Sequence, residues 1–135
     1  MLKKTFSVLL FVFVFFLLSK SSFSQTLYFC EGVDDEGHPI TASSTFYIPS
    51  SGGYFYFLVK LPYEIGCSYV AYELYEVDDS GYENYNTTID QTDLSHNWVW
   101  FWKKVTFYKS GYYHVYVRDC YDFIFTDAYV NVYYK

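Results

Sequence analysis

Short apolar stretches alternate with turn-forming clusters at the spacing of a β-sandwich. Residues 26–33 make a first strand, closed by Asp34-Asp35-Glu36-Gly37. A short strand over 45–48 ends at Pro49-Ser50-Ser51-Gly52-Gly53, a run rich in turn formers. Strands follow over 54–60, stopped by Leu61-Pro62, and over 69–77, stopped by Asp78-Asp79-Ser80-Gly81, which reads as a hairpin turn. Residues 82–88 form a weaker edge strand. A long strand over 97–108 turns at Lys109-Ser110-Gly111 into 112–118, and 124–134 closes the domain. The pattern predicts seven to eight strands, no helix longer than a turn, no linker and no repeat.

The two-residue period of a strand assigns faces. In 112–118, Tyr113, Val115 and Val117 share the inward face, leaving Tyr112, His114, Tyr116 and Arg118 outside. In the last strand Ala128, Val130 and Val132 point inward, and Tyr129, Asn131 and Tyr133 outward. In 69–77 the inward set is Val70, Tyr72 and Leu74, against Ala71, Glu73 and Tyr75 outside. The strand over 97–108 is ambiguous. Trp98, Trp100 and Trp102 share one face, while Val99, Phe101, Val105 and Phe107 share the other. Either set can fill a two-layer core, and Lys103 falls in the aliphatic phase. With the phenylalanines inside, three indoles line an outer face, where flat rings stack on sugars or anchor protein interfaces.

Composition sharpens the fold and the compartment. Met1-Leu2-Lys3-Lys4, an apolar run from Phe6 to Leu18 and a small polar segment ending at Ser24 make up a secretory signal, expected to be cut after Ser24. The apolar run is shorter than the ~20 residues of a spanning helix, so no membrane span is expected after cleavage. Residues 25–135 then form one domain, exported to the periplasm, the cell surface or the medium. With Lys3, Lys4 and Lys20 gone, six basic residues face fifteen acidic ones, a net charge of −9. That charge argues against nucleic acid and anionic lipid as partners. The domain keeps all eighteen tyrosines and has alanine only at 42, 71 and 128, a composition that favours strands over helices.

No catalytic constellation emerges. His38, His96 and His114 are dispersed and pair with no nucleophile. There is no glycine-rich phosphate loop and no HExxH-type site. The acidic turns at Asp34-Asp35-Glu36 and Asp78-Asp79 lack further ligands at calcium-loop spacing and read as solvated turns. No enzyme activity, cofactor or metal is expected.

Ser110-Gly111-Tyr112-Tyr113-His114-Val115-Tyr116-Val117 resembles the pattern that opens strand F of immunoglobulin-like sandwiches. The resemblance implies an immunoglobulin-like antiparallel β-sandwich in which Tyr113 is the corner tyrosine, its hydroxyl bonded to backbone across the turn. No cysteine sits mid-strand in strand B or strand F, and no tryptophan in the third main strand. The chain thus resembles the divergent modules of exported bacterial proteins, which are mostly adhesion, binding or structural units. In that topology Cys67, before the third main strand, and Cys120, after strand F, lie in loops at the same end. The resemblance therefore implies a Cys67–Cys120 disulfide, leaving Cys30 a buried free thiol or an intermolecular partner.

These readings converge on an exported, non-enzymatic binding or adhesion module. Its candidate face is the outer side of the C–F–G sheet, with Glu73, Tyr75, Tyr112, His114, Tyr116, Arg118, Tyr129, Asn131 and Tyr133. Tyrosine mixed with a few polar groups suits protein binding, since each ring buries much area at small entropic cost. Self-association is one form this takes. The alternative is a carbohydrate-binding module that holds a cell-surface polysaccharide on Trp98, Trp100 and Trp102.

Overall fold

The computed structural model describes residues 26–135, and the signal segment expected over 1–24 lies outside them. The described chain is all strand and turn: β1 (Thr26–Val33), β2 (Pro39–Ala42), β3 (Thr45–Ile48), β4 (Gly53–Lys60), β5 (Val70–Val77), β6 (Glu83–Gln91), β7 (Trp100–Phe107), β8 (Gly111–Arg118) and β9 (Ile124–Tyr134). They build two packed sheets, one in the order β2-β1-β4-β7 and the other β3-β9-β8-β5-β6. Among the described residues no helix is long and apolar enough to cross a membrane.

The core lies where the inward phases meet. Val70, Tyr72 and Leu74 of β5, Val115 and Val117 of β8, and Val130 and Val132 of β9 are all buried. Opposite them sit Phe55, Phe57 and Val59 of β4 and Phe101, Val105 and Phe107 of β7. Aromatic rings do most of the filling. Phe46, Phe55 and Phe107 form a stack with centroids 4.1 and 4.8 Å apart, and Phe57 meets Tyr72 edge-on across the sheets. Burial of one such side chain is worth roughly 1.5–3 kcal/mol. Tyr72 brings a hydroxyl into this core, which donates to Gln91 Oε1 at 2.7 Å. Gln91 Nε2 then donates to the Trp102 carbonyl at 2.8 Å, tying the edge of one sheet to the edge of the other.

Cys67 and Cys120 form a disulfide with Cα atoms 5.8 Å apart. They precede β5 and follow β8, antiparallel neighbours whose Ala71 and Arg118 lie opposite one another, so the two loops share one end. Closing a loop of this length restricts the unfolded chain by about 4 kcal/mol on the chain-entropy estimate. Cys30 is a buried free thiol, and its Sγ lies 3.8 Å from the Tyr56 carbonyl oxygen. Burial raises its pKa, which holds it as the inert thiol.

Three departures from the sequence expectation shape the surfaces. First, β2 is an additional strand, too short to show a period, with Pro39 at its start and Thr41 at φ 54°. It pairs only with β1. Second, β3 leaves β4 and pairs parallel to β9, so the sandwich is not wholly antiparallel. Third, the β1–β2 hairpin folds back over the outer face of the four-stranded sheet. Trp100 lies beside Lys60, which opposes Thr26 at the start of β1. The β1–β2 turn follows the far end of β1, more than ~20 Å away along a straight strand. Yet a Cβ added to Gly37, in that turn, would come within 2.4 Å of the Trp100 indole. Only a hairpin bent back across the sheet brings the two together. Cys30 and Leu58, both in the outward phase, are accordingly fully buried.

Candidate binding face

The outer side of β8, β9 and β5 carries a continuous run of rings. Tyr112 stacks on Tyr129 at 5.4 Å, Tyr129 on His114 at 3.9 Å, and His114 against Tyr116 at 4.1 Å. The run continues edge-on from Tyr116 to Tyr75 and from Tyr75 to Tyr85 of β6. Register explains it. His114 is paired with Tyr129 and Tyr75, and Tyr112 with Asn131, so the outward phases of three strands fall side by side.

His114 was expected as an exposed member of this face, and here the structure corrects the expectation. It is 5 % exposed. Tyr116 and Tyr129 cover its ring, while Nδ1 meets Glu83 Oε1 at 2.9 Å and Nε2 meets Asp127 Oδ2 at 2.5 Å. One carboxylate at each ring nitrogen holds the ring plane against the two tyrosines packed on it. The buried imidazole is thus the floor of the face.

Other expected members are also engaged within the chain. The Tyr116 hydroxyl donates to Glu83 at 2.8 Å. Burial, and then the Glu83 hydrogen bond and charge, push the Tyr116 phenol far above its ordinary pKa. The Tyr129 phenol is raised too, by desolvation and then by the charges of Glu83, Tyr112 and Asp127. Arg118 places Nε and Nη2 on Glu73 Oε1 at 3.1 and 2.9 Å, and Nη1 on the Asp122 carbonyl at 2.7 Å. That fork braces the β8–β9 turn beside the disulfide.

What remains open to a partner is narrower than the sequence suggested. Tyr112, Tyr129 and Tyr133 are 39, 44 and 48 % exposed. Tyr47 joins them by stacking on Tyr133 at 5.7 Å, because β3 lies alongside β9. Beside Tyr112 and Tyr133 the surface dips into a notch of about 630 Å³ that also takes in Asp78, Asp79 and Asn131. Sequence reasoning missed Asp127, Glu83 and Tyr47. Asp127 shares the outward phase of β9 and was findable by extending the period two residues back. Glu83 and Tyr47 reach the site only through the β5–β6 and β3–β9 pairings.

Tyr113, inward from the same strand, is 2 % exposed, and its hydroxyl donates to the Lys109 carbonyl at 2.8 Å across the β7–β8 turn. Burial first, then the charges of Glu76 and Tyr134, raises its pKa to about 12.

The tryptophans occupy the opposite flank. Phe101, Val105 and Phe107 fill the core, so Trp100 and Trp102 belong to the outer phase of β7. Trp98 and Val99 were expected on the same strand, but β7 begins at Trp100. Their carbonyls accept instead from Ile65 and Leu61 of the β4–β5 loop, which draws the segment out of the ladder. Trp98 and Trp102 are 39 and 46 % exposed, and Trp100 is half-buried against Gly37. With Gln91, Asp93 and Asn97 the three indoles line a cavity of about 710 Å³.

Fold and site together define the class, an all-β sandwich of two sheets with aromatic-rich surfaces and one disulfide. No family model, curated protein or solved structure matches the chain.

Proposed function

We propose that the chain is an exported, non-enzymatic, immunoglobulin-like module that binds another protein through the outer face of its five-stranded sheet. The order β2-β1-β4-β7 against β3-β9-β8-β5-β6 supports the immunoglobulin-like assignment, as does the Tyr113 hydroxyl bond across the β7–β8 turn. The Cys67–Cys120 disulfide supports an oxidising destination.

One observation carries the binding role: exposed Tyr112 stacks on exposed Tyr129, and Tyr129 stacks on a buried His114 whose two ring nitrogens each meet a carboxylate. Rings already held in place lose little freedom when a partner covers them, so more of the contact energy appears as affinity. The imidazole has both nitrogens occupied and is shielded by tyrosines, which suits a scaffold rather than a proton-transfer catalyst.

Site-specific photo-crosslinking in cells that make the protein tests the reading. A photoreactive residue at Tyr129 or Tyr133 should give a discrete protein adduct, heterologous or a homodimer. The same residue at Thr106, on the other sheet, should not. Adducts absent from both tyrosine positions, or equally strong from Thr106, would remove this face from consideration.

A further inference from the structure

We infer that the tryptophan cavity on the β7 flank is a second, separate site, and that it takes an extended polysaccharide. The cavity of about 710 Å³ is within the size range of small-ligand sites. Its rings are held in place. Trp100 rests on the Gly37 backbone, where no side chain fits, and Trp102 meets Tyr56 edge-on at 5.3 Å. Trp100 and Trp102 are two residues apart on one strand, so their Cα atoms lie roughly 6.7 Å apart on one face. The Asp93 carboxylate and the Asn97 amide lie in the same lining and match hydroxyl groups.

Two other occupants fit less well. A peptide adding itself to the β7 edge would need the Trp102 carbonyl, and Gln91 Nε2 already bonds it at 2.8 Å. A phosphate-bearing chain would need cations in concert, and of the two lysines in the lining, Lys103 and Lys104, the second lies 3.9 Å over the Tyr54 ring. A neutral polyhydroxylated ligand with apolar ring faces asks for what the cavity offers, namely indole planes beside a carboxylate and an amide.

Intrinsic fluorescence and isothermal titration test this on the purified protein. The probes are hexasaccharides of β-1,4-linked glucose, N-acetylglucosamine and mannose, and of α-1,4-linked glucose. At least one should shift and quench the emission in a saturable way. Trp102→Ala should then weaken its binding by about tenfold or more. Asp93→Ala, a surface change that leaves the indoles in place, should weaken it as well, and Tyr129→Ser should leave it unchanged. Near-ultraviolet circular dichroism checks that each variant is folded. Silence toward all four glycans at millimolar concentration would overturn the inference. So would undiminished binding by folded Trp102→Ala and Asp93→Ala, or loss of binding in Tyr129→Ser.

Discussion

Replacing Tyr113 by Phe isolates one hydroxyl and makes the stability of the fold depend on pH in a calculable way. At neutral pH the variant loses the bond to the Lys109 carbonyl and little else, because the ring stays in place against Phe107. A single such bond contributes about 1 kcal/mol net. The phenol has a second effect at high pH. In the folded chain its pKa is about 12, against the ordinary 10 once unfolded. The raised value means the folded state holds its proton more tightly. The corresponding stability is fully present below pH 10 and is lost as the pH climbs through 12. At pH 11 the loss is about 1.4 kcal/mol for a two-unit shift. The variant has no phenol at this position and escapes that loss. Urea titrations of both proteins at pH 7, 9, 10 and 11 should show the wild type ahead by about 1 kcal/mol at neutrality, with the gap closed near pH 11. A gap that stays constant over this range would refute the account. It would mean that the Tyr113 hydroxyl ionises in the folded chain as readily as in the unfolded one.

Other parts of the structure answer to equally direct tests. Replacing Cys67 and Cys120 by serine should cost about 4 kcal/mol in urea unfolding, the loop-closure contribution of the bridge. Gly37→Ala forces an L side chain to φ 83° and into the Trp100 indole, so it should cost more than ~1 kcal/mol and shift the tryptophan emission. Tyr72→Phe leaves the buried Gln91 Oε1 without its donor, which should cost about 1–3 kcal/mol in thermal unfolding. Tyr121→Ser, by contrast, at a ring 74 % exposed in the β8–β9 turn, should leave the unfolding free energy within about 0.5 kcal/mol of wild type.

The inward faces of β5, β8 and β9 were legible from period alone, because each strand alternates strictly where it crosses the core. The same rule misled at Trp98. Asn97-Trp98-Val99 continues the alternation on paper, but its backbone is claimed by the β4–β5 loop, a competition no local pattern reveals. His114 was assigned to the right phase and the wrong environment. Its burial depends on carboxylates from β6 and β9, and the β5–β6 pairing that delivers Glu83 is a property of the assembled sheet. The partnership of Cys67 and Cys120 was readable only through a resemblance that placed two loops at one end. Nothing local announced β2 or the parallel step to β9.

That parallel step governs when the fold is able to form. In its own sheet β3 has one neighbour, β9, with Thr45 beside Asn131 and Ile48 beside Tyr134. An edge made early in synthesis must therefore wait for a strand made near the end of the described chain. Until then β3 and the exposed flank of β8 offer unpaired backbone to any passing strand. Pairings between such distant segments are slow to find, since the loop must close before any contact rewards it. Local hairpins such as β1–β2 and β5–β6 need no such wait, but the five-stranded sheet is complete only once its last strand has been made.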